Sequence, residues 1–226
     1  MPQSLSAPAR GIGAPRPRTA GWLALGGAAI LAGLWGGPLP ALAGDAFTWH
    51  MVLHVGLLAL AAPVLSFALL QAGWRLPGSS VWLWAALGAT VFDLIVVWSW
   101  HAPGLHAAAA RVPAVFALQQ ATFLLAGMAV WVASFSVPSR LGALVGAGAM
   151  GMSFMHMSML GVVLATTSRL IYPPELCGSS LSLGALDDQR LGGVLMATAG
   201  ALPYLAGSLV LAARALRDGA TPDDRV

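Results

Sequence analysis

FTWHMVLHVGLLALAAPVLSFALLQA, residues 47–72, decides the fold. It carries no formally charged side chain. At a helical rise of about 1.5 Å per residue, it is long enough to cross a hydrocarbon core of about 30 Å. Working outward, five further stretches read the same way: 20–37, 81–101, 112–137, 141–165 and 191–216. Turn chemistry separates the stretches, at Gly37-Pro38, Pro77-Gly78, Ala102-Pro103-Gly104, Pro138-Ser139 and Tyr172-Pro173-Pro174. Composition agrees: 8% of the 226 residues are charged, and mean hydropathy is +0.80. Soluble domains carry about 25% charged residues, and so apolar a chain cannot cover a globule in water. The expected fold is therefore an all-α polytopic transmembrane helical bundle of about six spans, bathed in membrane lipid.

The first stretch has two readings. Arg16 and Arg18 precede an apolar run that ends at Ala41-Leu42-Ala43 before Gly44. This is the pattern of a membrane span, and also of a signal peptide with a small-residue cleavage site; cleavage leaves five spans. The chain accordingly divides into a basic tail with first span or signal (1–43), a transmembrane helical domain (44–217) and a polar cytoplasmic tail (218–226). With the N-terminus inside, Arg10, Arg16, Arg18, Arg75, Arg140, Arg214, Arg217 and Arg225 fall inside, and Arg111, Arg169 and Arg190 outside. That bias gives a multi-pass protein of the bacterial cytoplasmic (inner) membrane with a cytoplasmic C-terminus. The scattered arginines form no basic run interleaved with aromatics, which excludes nucleic acid as a partner. The single cysteine, Cys177, excludes an intramolecular disulfide and a multi-cysteine metal site.

Polar and soft-ligand residues within the apolar spans carry the functional information. His50 and His54, at i and i+4, place two imidazoles on one helix face, a spacing that suits two ligands on one metal. Asp93 lies near mid-membrane and requires a partner, a proton or a polar cavity. His101 and His106 follow it at the outer end. Gln119 and Gln120 lie about 10 Å down the fourth span. In the fifth, Met152, His156 and Met159 share a face, with Met155 beside them. Counted by depth, all five histidines fall in the outer half of the membrane. Imidazole and thioether without a thiolate cluster favour Cu(I). The expected metal set is His50, His54 and His156 with Met152, Met155 and Met159, while His101, His106 and Asp188 form a hand-over route above it.

Several of these residues lie in motifs with a family resemblance. His50-Met51-Val52-Leu53-His54 followed by Ala61-Ala62-Pro63-Val64-Leu65, Trp98-Ser99-Trp100-His101-Ala102-Pro103, Phe123-Leu124-Leu125-Ala126-Gly127, Phe154-Met155-His156-Met157-Ser158-Met159-Leu160-Gly161 and Asp188-Gln189-Arg190-Leu191-Gly192-Gly193 occur in this order. The ordered set resembles the multi-span CtaG family of cytochrome c oxidase assembly factors. The resemblance implies a non-enzymatic factor that assists copper insertion and has an oxidase subunit as client. It also implies His50, His54, His101 and His156 as metal candidates, with Asp188-Gln189 in the loop above. Two positions depart: Leu53 stands where the family has Gln, and Gln119-Gln120 where it has Glu-His. The alternative reading is a membrane b-type cytochrome, with His54 and His156 as axial haem ligands. A transporter finds support only in Asp93, and hydrolase motifs are absent. Oligomeric state is not legible in the sequence.

Overall fold

The computed structural model describes residues 15–77, 81–173, 175 and 182–220; Cys177 lies outside them. Six helices are long and apolar enough to cross a membrane: Pro17–Gly36, Phe47–Gln71, Val81–Trp100, Pro113–Phe135, Arg140–Thr166 and Ala185–Gly219. Each overlaps an expected stretch. The elements in chain order are α1 (Pro17–Gly36), α2 (Leu39–Asp45), α3 (Phe47–Val55), α4 (Ala62–Gln71), α5 (Val81–Trp100), α6 (Pro103–Arg111), α7 (Pro113–Phe135), α8 (Arg140–Thr166), α9 (Ala185–Leu195) and α10 (Leu202–Ala220). No strand occurs among the described residues.

Two spans are composite. π-helical segments, Gly56–Ala61 and Met196–Gly200, join α3 to α4 and α9 to α10. Each precedes a proline, Pro63 and Pro203. Proline has no N–H to give the carbonyl one turn back, and its ring crowds that carbonyl. The backbone relieves the conflict by widening the turn.

Hydrogen bonds between consecutive helix ends define two ends of the bundle. At one, Arg16 N–H donates to the Gln71 carbonyl (3.0 Å) and Arg140 Nε–H to the Ala215 carbonyl (3.3 Å). At the other, the short helices α2 and α6 lie between spans, and the Tyr172 hydroxyl donates to the His101 carbonyl (3.0 Å). α2 and α6 are additions to the sequence reading, which left both as connections.

Burial is reversed relative to a soluble protein. Leu60, Leu87, Ile95, Leu125 and Leu209 are exposed, while Asp93, Gln119, Ser153, Asp188 and Gln189 are fully enclosed. Apolar side chains face lipid and polar ones face each other, as a bilayer requires. Glycine permits a close helix contact: a Cβ on Gly161 would stand 2.7 Å from the Gly193 carbonyl oxygen, and one on Gly193 2.7 Å from that of Gly161. The backbones of α8 and α9 therefore touch, as small residues allow in membranes. α10 remains helical to Ala220, into the first residues of the expected polar tail; residues 221–226 lie outside the described residues.

Candidate metal centre

The site begins with a helix cap. α3 starts at Phe47 with no side-chain cap of its own, so its first N–H groups need acceptors from elsewhere. Asp188, on α9, supplies them: Oδ2 accepts from Phe47 N–H (2.7 Å) and Oδ1 from Thr48 N–H (3.1 Å). The Thr48 hydroxyl returns a bond to the Asp188 carbonyl (3.1 Å). The carboxylate also sits at the positive end of the helix dipole. Asp188 is thus buried and bonded to the start of α3, so the structure gives it a capping role in place of the open hand-over position expected above. Gln189 is likewise structural. Its Oε1 accepts from Ile171 N–H (2.8 Å), and its Nε2–H donates to the Arg169 carbonyl (3.4 Å).

So anchored, α3 presents His50 and His54 inward. Their rings meet edge-on with centroids 4.2 Å apart, and their Nε2 atoms are 2.6 Å apart. Two ring nitrogens this close share a proton. The His106 ring lies 4.5 Å from that of His50, and the His101 ring 6.1 Å from that of His54. Four histidines from three elements therefore form one cluster. Phe47, Phe123 and Tyr172 wall it: Phe123 is 4.4 Å from the His54 ring, and Tyr172 is 4.2 Å from the His106 ring. Phe47 was within reach of the sequence, since 47, 50 and 54 share a helical face. Tyr172 comes from a connection and left no periodic signal.

His101 and His106 were expected at the outer surface, and the structure corrects this. Both are buried, His106 at 2% exposure, because α6 folds back over the cluster. His101 Nδ1–H donates to the Val97 carbonyl (2.6 Å), leaving an Nε2 lone pair enclosed and without a partner. His106 Nδ1 is also buried and unpartnered. Burial lowers the His101 pKa to about 4, against a smaller upward pull from the Val97 carbonyl. Burial, reinforced by repulsion from His101, takes His106 down to about 3. Both rings are therefore neutral at pH 7. Gln120 Nε2–H lies 3.4 Å from His54 Nδ1 and 3.3 Å from Gln119 Oε1. Gln120, standing where the resembled family has histidine, thus touches the cluster directly.

His156 is elsewhere. Its Nε2–H donates to Asp93 Oδ2 (3.0 Å), and the Ser153 hydroxyl donates to the same oxygen (2.7 Å). Asp93 lies eight residues before His101 on α5, about 12 Å deeper. The expectation that His156 shares the His50–His54 site therefore gives way to a separate pair between α5 and α8. The depth count failed because α8 has 27 residues. At about 40 Å it is longer than the core, so height above its first residue overstates closeness to the histidine end. Met152, Met155 and Met159 are 54%, 62% and 54% exposed. They face outward and supply no thioether to either cluster. The haem alternative loses its geometry as well, since His54 is engaged with His50 and His156 with Asp93.

The family model for the cytochrome c oxidase caa3 assembly factor (Caa3_CtaG) matches residues 5–218, nearly the whole chain. The chain belongs to this family. No curated protein and no solved structure gives a significant match. The Caa3_CtaG assignment identifies the chain as a cytochrome c oxidase assembly factor in a membrane setting, with an oxidase as client.

For a Caa3_CtaG protein the fit of copper can be tested on the donors present. Four imidazoles converge, and two of them hold enclosed ring nitrogens without partners. The His101 ring is oriented by a carbonyl on its far nitrogen, as metal-ligating histidines commonly are. Among the described residues, no three His, Cys, Asp or Glu side chains yet stand close enough to grip an ion. Two nitrogens sharing an ion through bonds of about 2.0 Å sit roughly 3–4 Å apart. The 2.6 Å His50–His54 contact must open by about an ångström, within reach of side-chain rotation. Imidazole donors of this kind are chemically compatible with a soft ion, and as the cluster stands His50 and His54 are paired with each other.

Proposed function

We propose that this assembly factor is non-catalytic and holds Cu(I) as cargo in the four-histidine cluster at the outer membrane face, for transfer to an oxidase subunit. The observation that carries this reading is the His101 ring, fixed through Nδ1 with its buried Nε2 lone pair turned to no protein group. An unsatisfied buried acceptor is costly unless something visits it. His50, His54, His101 and His106 are the proposed ligands, with Gln120 holding the His54 ring. His156, Met155 and Met159 lie outside this set. Neutral imidazoles suit a soft monovalent ion, and this cluster offers it no carboxylate. The outer-face placement follows from the arginine bias, which also puts the C-terminus in the cytoplasm.

The test is competition titration against a Cu(I) chelator of known affinity. His54→Ala and His101→Ala should each weaken binding at least tenfold, or about 1.4 kcal/mol. His156→Gln should leave affinity within twofold. A wild-type protein that takes up no Cu(I), or variants that all titrate like wild type, overturns the reading.

A further inference from the structure

The histidine cluster is closed on most sides. Phe47, Phe123 and Tyr172 cover it with rings, and the Asp188 cap seals the start of α3. A cavity reaches it. A space of about 240 Å³ lies among α2, α6 and the start of α7, lined by Ala43, Gly44, Ala109, Ala110 and Arg111, with His50 at its inner wall. His50 is the one histidine that lines it. A second space of about 370 Å³, between α1 and α7, ends on Gln120 and is otherwise walled by apolar groups such as Trp35 and Phe116. It touches no histidine and offers a charged species nothing.

We infer that the cavity between α2 and α6 is the portal through which cargo reaches His50, and that Arg111 makes it selective for anionic carriers. This rests on the copper-holding reading above. A soft cation reaches a protein held by thiolate or carboxylate donors, and such a complex is negative or neutral. Among the described side chains, Arg111 is the charged one lining this cavity, and its guanidinium cannot lose its charge. A bare cation would be repelled there, whereas an anionic complex or the acidic side chain of a donor peptide would be drawn in. Ala43, Gly44, Ala109 and Ala110 keep much of the wall small, and Pro40, Pro113 and Phe116 complete it. Gly44 lines the passage, and a Cβ there would meet no atom within 4 Å, so a larger side chain has room beside it.

Two measurements on detergent-purified full chain test this. In the first, His50→Cys is made on a Cys177→Ser background and labelled with negatively and positively charged methanethiosulfonates. The anionic reagent should react at least threefold faster. Gly44→Trp should slow both reagents at least tenfold, Gly44→Ala should not, and Arg111→Glu should reverse the preference. In the second, with all histidines present, Gly44→Trp should slow Cu(I) uptake in stopped flow at least tenfold at unchanged equilibrium affinity. Unaltered labelling rates in Gly44→Trp, or an unaltered charge preference in Arg111→Glu, overturns the portal. The labelling arm needs no metal, so failure of copper binding sinks the functional reading while the portal is still decided.

Discussion

At the scale of single residues, Asp93 poses the sharpest electrostatic problem, because a carboxylate with no exposed surface must be answered locally. The sequence marked it as a residue needing a partner. The identity of that partner depends on the rotation of α8, which lets His156 at the edge of its buried face turn toward α5 while Met152, Met155 and Met159 turn outward. Removing the imidazole alone strands the carboxylate. His156→Ala should therefore destabilise the protein by about 3–5 kcal/mol. Asp93→Asn, which removes the charge and retains an acceptor for Ser153, should lose only about 1–2 kcal/mol. Adding Asp93→Asn to His156→Ala should recover part of the larger loss. A double-mutant cycle by denaturant unfolding in micelles reads this, and additive losses would contradict it. His101 and His106 give a second residue-scale outcome. Their pKa values, lowered to about 4 and about 3 by burial, lie below the ordinary imidazole value near 6.5. Between those values the unfolded chain binds protons that the folded one refuses. Stability is therefore fully present above about pH 6.5 and falls as pH drops toward 4. His50 and His54 face the same two rings, so a proton taken up by any of the four meets its neighbours. Thermal unfolding of metal-free protein should show this slope. His106→Phe, which keeps the stack on Tyr172 and Phe47, should reduce it.

At the scale of elements, the six spans were legible because each expected stretch is a mostly apolar length matched to a bilayer, interrupted by charge only at Asp93 in the third and Arg214 near the end of the sixth, a signal that needs no tertiary information. The histidine pair on α3 was legible for a similar reason, since i, i+4 spacing fixes a shared face. What escaped were the devices that cross between elements. α6 is short and begins within the turn-like Ala102-Pro103-Gly104, so it read as a loop and its His106 as exposed. The α3 cap escaped because its acceptor lies 140 residues away, on α9. Asp188 appeared from its acidity and position to be a hand-over group, when its two oxygens accept from Phe47 and Thr48. Asp188→Ala should then act on α3 from a distance. Loss of a charged cap costs about 1–2 kcal/mol, and hydrogen exchange at the Phe47 and Thr48 amides should rise in step. Asp188→Asn, which keeps an acceptor, should lose about half as much. Protection unchanged in Asp188→Ala would show that α3 is held by packing alone.

At the scale of the whole molecule, the remaining question is which end of the bundle faces the cytoplasm. Chain alternation and the inter-helix hydrogen bonds put Arg16, Arg18, Arg75, Arg140, Arg214 and Arg217 at the end away from the histidine cluster. Arg111, Arg169 and Arg190 lie at the histidine end, where Arg190 is partly neutralised by Asp187 at 3.4 Å. Short connections carry most of this charge, and the positive-inside rule acts on short connections. The arginine-rich end should therefore be cytoplasmic, and the cluster should open to the compartment from which an extracytoplasmic copper centre is filled. Single cysteines on a Cys177→Ser background, at Arg75, Arg140 and Arg111, should report this with an impermeant maleimide on intact cells. Position 111 should label from outside, and positions 75 and 140 only after the membrane is opened. Labelling of 75 or 140 from outside would invert the bundle. It would place the histidines toward the cytoplasm, where thiols compete for Cu(I) and a thiol-free imidazole cluster would hold it poorly. The orientation and the ligand chemistry therefore support one another, and the labelling experiment tests the first without assuming the second.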